Sequence, residues 1–344
     1  MAGVEFLYLS QEDVIAVGGL DMVGTLGTVE EAFRLWGIGD VVQPIKTTIR
    51  WGPPGTENTR GRIIAMAAHV GGDVDMAGMK WIPSMPENPV RHGLPRACAL
   101  IILSDPRTGL PMAVMDGTVI SAMRTGAASG VAAKYLARKD ACALGLVGAG
   151  VQNRTQLMAL SRVLPGLSDV RVFDVRSERV QAFCREMQGQ IRPPLRAVAS
   201  AREAIDGADA FVTATVSGEA YVEAEWIKEG AFHSEISSWD THVRTLTVYD
   251  KIVVDDWQSI RHGGKHVSIR AMNAGVIPES RIHGELGDIV SGKKPGRETD
   301  TERILFNPIG MPINDVSEAT RIYRAAKAQG IGRVLPLWEA PIWV

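Results

Sequence analysis

Three features of the sequence predict an α/β fold. The first is Leu144-Gly-Leu-Val-Gly-Ala-Gly-Val-Gln-Asn153, an apolar strand that runs into a glycine-tight turn and a helix start. The second is Asp174, which closes a strand-like segment at residues 170–173 and puts a carboxylate twenty-one residues past Asn153. The third is the alternation of strand-like and helix-like segments from Ala141 onward, the rhythm of parallel βαβ units. Gly148 permits the turn, and Gly150 leaves room for backbone to approach a pyrophosphate. A helix starting near Val151 aims amide N–H groups and a positive dipole end at that group. Asp174 stands where a carboxylate accepts hydrogen bonds from an adenosine ribose, which favours NAD; Arg176 and Arg179 follow closely and leave NADP open. The prediction is a Rossmann-type dinucleotide-binding domain plus an α+β domain for substrate binding and dimerisation. Asn153 replaces the third small residue of the fingerprint, so helix–strand packing there is expected to differ from the usual.

The elements follow in order. Leu7-Tyr8-Leu9 is a short strand, and Ser10 caps the next helix with Asp13 as a capping-box partner. A helix covers residues 24–36, and residues 51–61 (WGPPGTENTRG) form a loop by composition. Strand-like blocks occupy 62–69, 76–83, 96–104 and 111–115. The small-residue stretch 118–137 is a helix able to pack closely. The second domain then reads as strands at 143–147, 170–173, 195–199, 210–215, 232–236 and 251–255, with helices at 152–163, 177–187 and 201–205. A final helix at about 314–328 returns to the first part, and 331–344, with Pro336 and Pro341, is an ordered tail. The expected boundaries are 1–124 with 315–344 for one domain and 125–314 for the other.

Bulk composition sets limits. The 344 residues suit two domains, 45% of them are hydrophobic and 22% charged. A net charge of −2 gives no general attraction to nucleic acid or membrane. Cys98, Cys142 and Cys184 are widely spaced, with no CxxC pair, as in a reduced cytoplasm. The N-terminus has no basic stretch followed by an apolar core, and no apolar run reaches membrane-helix length. The expectation is a cytoplasmic protein.

The candidate chemistry lies at a few charged residues. Lys80, mid-strand among Met and Trp, cannot be buried without an anionic partner. It grips a substrate carboxylate or it sits on the solvated face of an edge strand. Arg124, on the small-residue helix, is a carboxylate or phosphate clamp or an interdomain salt bridge. Lys46 and Arg50 share one face of a strand by period-2 spacing, which suits a solvated face or a second set of cations. His69 ends a strand and is structural or catalytic. His262, Lys265 and His266 have loose spacing and no HExxH array occurs, so no metal is expected. Asp240 and His242 follow the fifth strand of the nucleotide domain, where open α/β sheets bind ligands; they are candidates for proton handling, though Asp240 could equally cap a helix.

Taken together, Val42-Gln-Pro-Ile-Lys-Thr47, Arg62-Ile-Ile-Ala-Met66, Gly78-Met-Lys-Trp81, Thr108-Gly-Leu-Pro-Met-Ala-Val-Met-Asp116, residues 120–128 and 148–152, and Asn307-Pro-Ile-Gly-Met311 resemble the ornithine cyclodeaminase/mu-crystallin family over essentially the whole chain. His69-Val-Gly-Gly72, Val253-Val-Asp-Asp-Trp257, Glu285-Leu-Gly287 and Pro295-Gly-Arg-Glu298 resemble its N-(2-amino-2-carboxyethyl)-L-glutamate dehydrogenase branch, which makes 2,3-diaminopropionate. Tyramine oxidase accessory subunits share the regions 77–81 and 93–96. The resemblance implies that Lys80 and Arg124 hold an amino-acid carboxylate, helped by Lys46 and Arg50 and with Met66 beside them. It implies a cofactor site of Thr125, Gly148, Gly150, Val151, Gln152, Asp174, Arg176, Thr215 and Ser237. The catalytic Asp of the cyclodeaminases falls on Trp239 here, with Asp240 one further, and a glutamate of ornithine cyclodeaminases falls on Ile64. The implied chemistry is NAD-dependent hydride removal from Cα of an amine. An imine results and is hydrolysed, with Asp240, His69 or His242 moving protons and Lys80 fixing the substrate. A homodimer is implied as well. The alternatives are a cyclodeaminase, an NAD(P)H imine reductase, or a cofactor-binding subunit without activity.

Overall fold

A computed structural model describes residues 3–52 and 61–343. The chain divides into two compact units, Met1–Arg124 with Met311–Val344, and Thr125–Gly310. The return to the first unit falls at Met311 rather than at 315, because Pro312, at N1, already opens the final helix. The expected loop at 51–61 lies mostly outside the described residues.

The first unit begins with β1 (Val4–Leu9), α1 (Gln11–Val14) and α2 (Met22–Ile38). The Ser10 capping box forms: Asp13 N donates to Ser10 Oγ at 3.2 Å, and Ser10 N to the Asp13 carboxylate at 3.0 Å. Strands β2 (Val41–Val42), β3 (Thr47–Trp51), β4 (Gly61–Val70) and β5 (Met76–Ser84) come next, then α3 (Asn88–Arg91), β6 (Leu100–Ser104), β7 (Pro111–Asp116) and α4 (Thr118–Leu136).

The second unit alternates β8 (Ala143–Val147), α5 (Val151–Val163), β9 (Asp169–Phe173), α6 (Ser177–Met187), β10 (Leu195–Ala197), α7 (Ala201–Ile205), β11 (Ala210–Thr213) and β12 (Phe232–Glu235). It continues with β13 (Lys251–Val254), α8 (Trp257–Gly263), α9 (Val267–Asn273), β14 (Ile282–Glu285), α10 (Leu286–Val290) and β15 (Ile304–Phe306). All eight strands pair in parallel, in the order β10-β9-β8-β11-β12-β15-β13-β14. The order reverses between β8 and β11, and ligands of such sheets bind beyond the carboxyl ends of the strands at that point. Gly148 sits there with φ +99°, and a Cβ on it would lie 2.6 Å from the Ala214 carbonyl oxygen. Only glycine satisfies both constraints.

The first unit closes with α11 (Pro312–Gln329) and β16 (Arg333–Trp338). The expected tail is thus an edge strand. It pairs antiparallel with β1, and Pro336 is tolerated because an edge strand leaves one side of its backbone unpaired. The sheet runs β16-β1-β7-β6-β5-β4-β2, with β3 also on β4, and α11 lies across β4, β5 and β6. That covers one face only. Met66, Ala68, Ile101, Leu103 and Met115 are buried on it, with Lys80 among them. The other face carries Ile49, Trp51, Trp81 and Leu100, all exposed.

Candidate active site

In the first unit the site begins with strand parity. Lys80 pairs across the sheet with Met66 on one side and Ile101 on the other, so its side chain leaves on the face beneath α11. Gly78, on the same face, allows the helix to come close: a Cβ there would meet Val316 at 3.2 Å. The first turns of α11 deliver Asp315. Lys80 Nζ lies 2.8 Å from Asp315 Oδ1 and 2.7 Å from Oδ2, and donates to Ser121 Oγ at 3.1 Å. Arg124 Nε donates to the same Oδ1 at 2.9 Å. Lys80 and Asp315 are fully buried and Arg124 nearly so. Burial, followed by the charge of Arg124, pushes the Lys80 ammonium down to about 7, against the pull of Asp315. Two basic groups thus share one carboxylate in a dry place, and a second carboxylate beside them would favour the charged form of Lys80.

In the second unit the turn after β8 is held from two sides. Asn153 Nδ2 donates to the carbonyls of Val147 and Gly148 at 2.9 and 2.5 Å, so the side chain that replaces a small residue acts as a clasp for the turn. The Asp174 carboxylate accepts from Ala149 N at 2.9 Å and Arg176 N at 3.0 Å, tying this turn to the next. Gly150 caps α5, and a Cβ built on it meets nothing within 4 Å. Gln152 Oε1 and Ser237 Oγ are buried without a hydrogen-bond partner among the described residues. An open glycine, a helix N-terminus and polar atoms awaiting partners fit a dinucleotide.

Beyond β12 lies a second buried acidic group. Glu235, the last residue of the strand, accepts from Thr241 N at 3.1 Å and from Asn307 Nδ2 at 3.2 Å. Asn307 is fixed in turn, its Oδ1 accepting from Ser268 Oγ at 2.9 Å. Asp240 accepts from Thr215 Oγ1 at 2.5 Å, and its backbone carbonyl holds Tyr221 N and Val222 N. Both carboxyls are fully buried. Burial first, and then the charge of Asp240, raises Glu235 to about 8, so it carries a proton at neutral pH. Burial and Asp240 likewise push the Tyr221 hydroxyl well above its ordinary value.

The chain matches the ornithine cyclodeaminase/mu-crystallin family over residues 8–330. This chain belongs to that family. It is 38% identical to the N-((2S)-2-amino-2-carboxyethyl)-L-glutamate dehydrogenase of Staphylococcus aureus, over 97% of this chain and 99% of that one. Among solved structures it resembles the Delta(1)-pyrroline-2-carboxylate reductase of Thermococcus litoralis in complex with NADH and L-proline, at 36% identity and a TM-score of 0.88, covering 95% and 99% of the two chains. It also resembles an archaeal alanine dehydrogenase dimer with bound NAD, at 34% identity and a TM-score of 0.87, covering 97% and 100%.

For several residues the structure separates the alternatives that the sequence left open. Lys80 is neither on an edge strand nor open to solvent; β5 is central and Asp315 is its anion. Arg124 is paired with Asp315 inside the first unit, not across an interdomain salt bridge. Lys46 precedes β3, and its charge acts on Lys80. Arg50 stands across from Arg62, away from Lys80, and acts on that arginine. His69 is on the opposite sheet face from Lys80, because it is three residues from Met66 and strand parity is two; it is half-exposed, 3.8 Å from Asp75. That placement sets it across the sheet from the Lys80–Asp315 pair. His242 is 3.3 Å from Glu223 and partly exposed. Trp239 turns outward while Asp240 turns in. Among the described residues no group of three or more His, Cys, Asp or Glu is placed to hold a metal. Asp315 and Glu235 escaped the sequence reading. An acid in the first turn of a helix reads as a dipole partner, and Glu235 ends a strand where a carboxylate reads as a loop residue; only its neighbours in a fully buried strand hint otherwise.

Two outcomes follow from these pairs. Asp315→Asn leaves Lys80 and Arg124 buried without their anion and is expected to cost ~3–5 kcal/mol. Adding Lys80→Met recovers part of that loss. A double variant no more stable in urea than Asp315→Asn would refute the pairing. For Glu235 the folded value, about 8, exceeds the ordinary 4.5. The unfolded chain therefore releases a proton that the folded one keeps, and this group lowers stability progressively as pH rises from near 4.5 to near 8. Glu235→Gln removes that dependence, so its stability advantage over the wild type should grow across that window. Parallel urea curves for the two proteins from pH 5 to 8 would contradict a protonated Glu235.

Proposed function

We propose that this chain oxidises the Cα–N bond of N-(2-amino-2-carboxyethyl)-L-glutamate with NAD, giving 2,3-diaminopropionate and 2-oxoglutarate. As a member of its family it is a nicotinamide-dependent oxidoreductase acting on amino-acid-derived amines or imines. The observation that carries the finer reading is the 38% identity to the Staphylococcus aureus dehydrogenase, which runs through both units. The cation-rich Lys80–Asp315–Arg124 cluster supports it, since the substrate carries three carboxylates.

Bound NAD supplies a hydride acceptor. Thr125, Gly148, Gly150, Val151, Gln152, Thr215 and Ser237 hold the cofactor, with Asp174 and Arg176 beside its adenosine ribose. Lys80 and Arg124 bind the α-carboxylate and so fix the Cα–H direction, with Lys46 adding positive charge and Met66 filling the floor. Asp315 keeps both cations in place. Asp240 takes the amine proton and later directs water onto the imine carbon, after which the C–N bond breaks. Thr215 orients that carboxylate through its 2.5 Å hydrogen bond. Glu235, kept neutral, adds no second negative charge beside it.

A second reading is favoured by the likeness to the Thermococcus litoralis reductase. It is the reverse step, reduction of an imine, which uses the same carboxylate grip and needs no water.

Products decide between them. Incubation of the N-substituted glutamate with NAD should yield 2-oxoglutarate and diaminopropionate in equal amounts with one NADH, measured by mass spectrometry and absorbance. NADH consumption on cyclic imines without turnover of the glutamate conjugate would favour the reductase. No turnover of any amino acid or imine would overturn both.

The exposed face of the first sheet carries Ile49, Trp51, Trp81 and Leu100, and we assign it to a second copy of this chain. The dimeric state of the archaeal alanine dehydrogenase supports this assignment. Trp81→Glu puts a charge in the middle of that face and should convert a dimer to a monomer in light scattering at micromolar concentration. A variant that stays dimeric would place the interface elsewhere.

A further inference from the structure

Arg270, on α9, lies over the indole of Trp239, its guanidinium carbon 4.0 Å from the ring centroid. Nη1 donates to the Ser238 carbonyl at 2.8 Å. Among the described residues Nε and Nη2 make no hydrogen bond and the guanidinium has no salt bridge. The arrangement is unusual for a structural arginine. A partly buried guanidinium ordinarily finds a carboxylate. Glu235 is the acidic group that acts on Arg270, but Glu235 is itself held in its neutral form. Burial meanwhile lowers the pKa of the guanidinium from its ordinary value. The cation is oriented, short of solvent and without an anion.

Its place in the fold gives the partner's character. Ser238 and Trp239 lie three and four residues past the end of β12, beyond the carboxyl edge of the parallel sheet, where ligands of such sheets bind. Trp239 is 42% exposed, so the ring is a platform and not part of the core. A guanidinium lying on an aromatic face keeps its edge free, and that edge presents parallel N–H donors matching a carboxylate.

We propose that Arg270, seated on Trp239, binds a carboxylate of the substrate other than its α-carboxylate, and so selects dicarboxylic over monocarboxylic ligands. The inference rests on the oxidoreductase reading above and names its specificity residue. It also gives Trp239 a role: the residue in the slot of the cyclodeaminase acid supports the reader of an acidic substrate.

The test uses full-length protein saturated with NADH and titrated by calorimetry with 2-oxoglutarate and with pyruvate. Wild type should bind 2-oxoglutarate at least about tenfold more tightly than pyruvate, one carboxylate contact being worth that or more. Arg270→Met should erase this preference while the affinities for pyruvate and NADH change less than about twofold. Arg270→Lys, which keeps the charge but not the planar fork, should fall between, and serves as the readout if the Met variant does not fold. Wild type without a preference overturns the inference. So does an Arg270 variant that retains the preference, or one that loses both acids or NADH in parallel. If Arg270-dependent selectivity is present but no amine is turned over, the function proposed above fails and the acid-reading role stands. Turnover with selectivity untouched by Arg270→Met has the opposite meaning.

Discussion

A single carboxylate, Asp315, makes the first unit's buried pair of basic residues possible. Lys80 and Arg124 point into a space closed by β4, β5, β6 and α11, where an isolated ammonium is far too costly to keep. Asp315 offsets the charge of Arg124, and Lys80, pushed down to about 7, is left between its charged and neutral forms. The position of Asp315 comes from the seat of α11 on the sheet, where Gly78 leaves room: a Cβ there would meet the Ile102 carbonyl oxygen at 2.8 Å, Leu103 at 2.9 Å and Val316 of α11 at 3.2 Å.

The second unit solves the converse problem. There two carboxyls, Glu235 and Asp240, are buried within reach of one another, and two negative charges would repel strongly in that medium. Glu235 answers by holding its proton, with Thr241 N and Asn307 Nδ2 as hydrogen-bond donors. Asp240 is bound by Thr215. One acid is kept neutral and one is kept oriented, the arrangement expected where proton transfer is to occur at a chosen atom. It leaves Arg270 without a charged neighbour, and an external anion is then its natural counterpart.

Sequence alone determined the strands and helices of the second unit from β8 to β13. Strand β8, helices α6 and α7 and the glycine turn are local matters: period, caps and the positive φ at Gly148 are written into short stretches. It also drew attention to Lys80, Arg124, Asp174 and Asp240, since a charge in an apolar segment or past a strand end is visible one-dimensionally. It was blind to β14, β15 and the strand nature of residues 333–338, which are short and gain their identity from neighbours far along the chain. The tertiary structure decided the pairings. Lys80 and Asp315 are 235 residues apart, and Glu235 and Asn307 are 72 apart. No periodicity connects such positions. Whether His69 shares a face with Lys80 was settled by the count of residues between it and Met66 once the β4–β5 register was known, and register is fixed by which face is buried. Sequence could say which residues were chemically suited to a site; packing alone could say which of them meet, and in what state of charge.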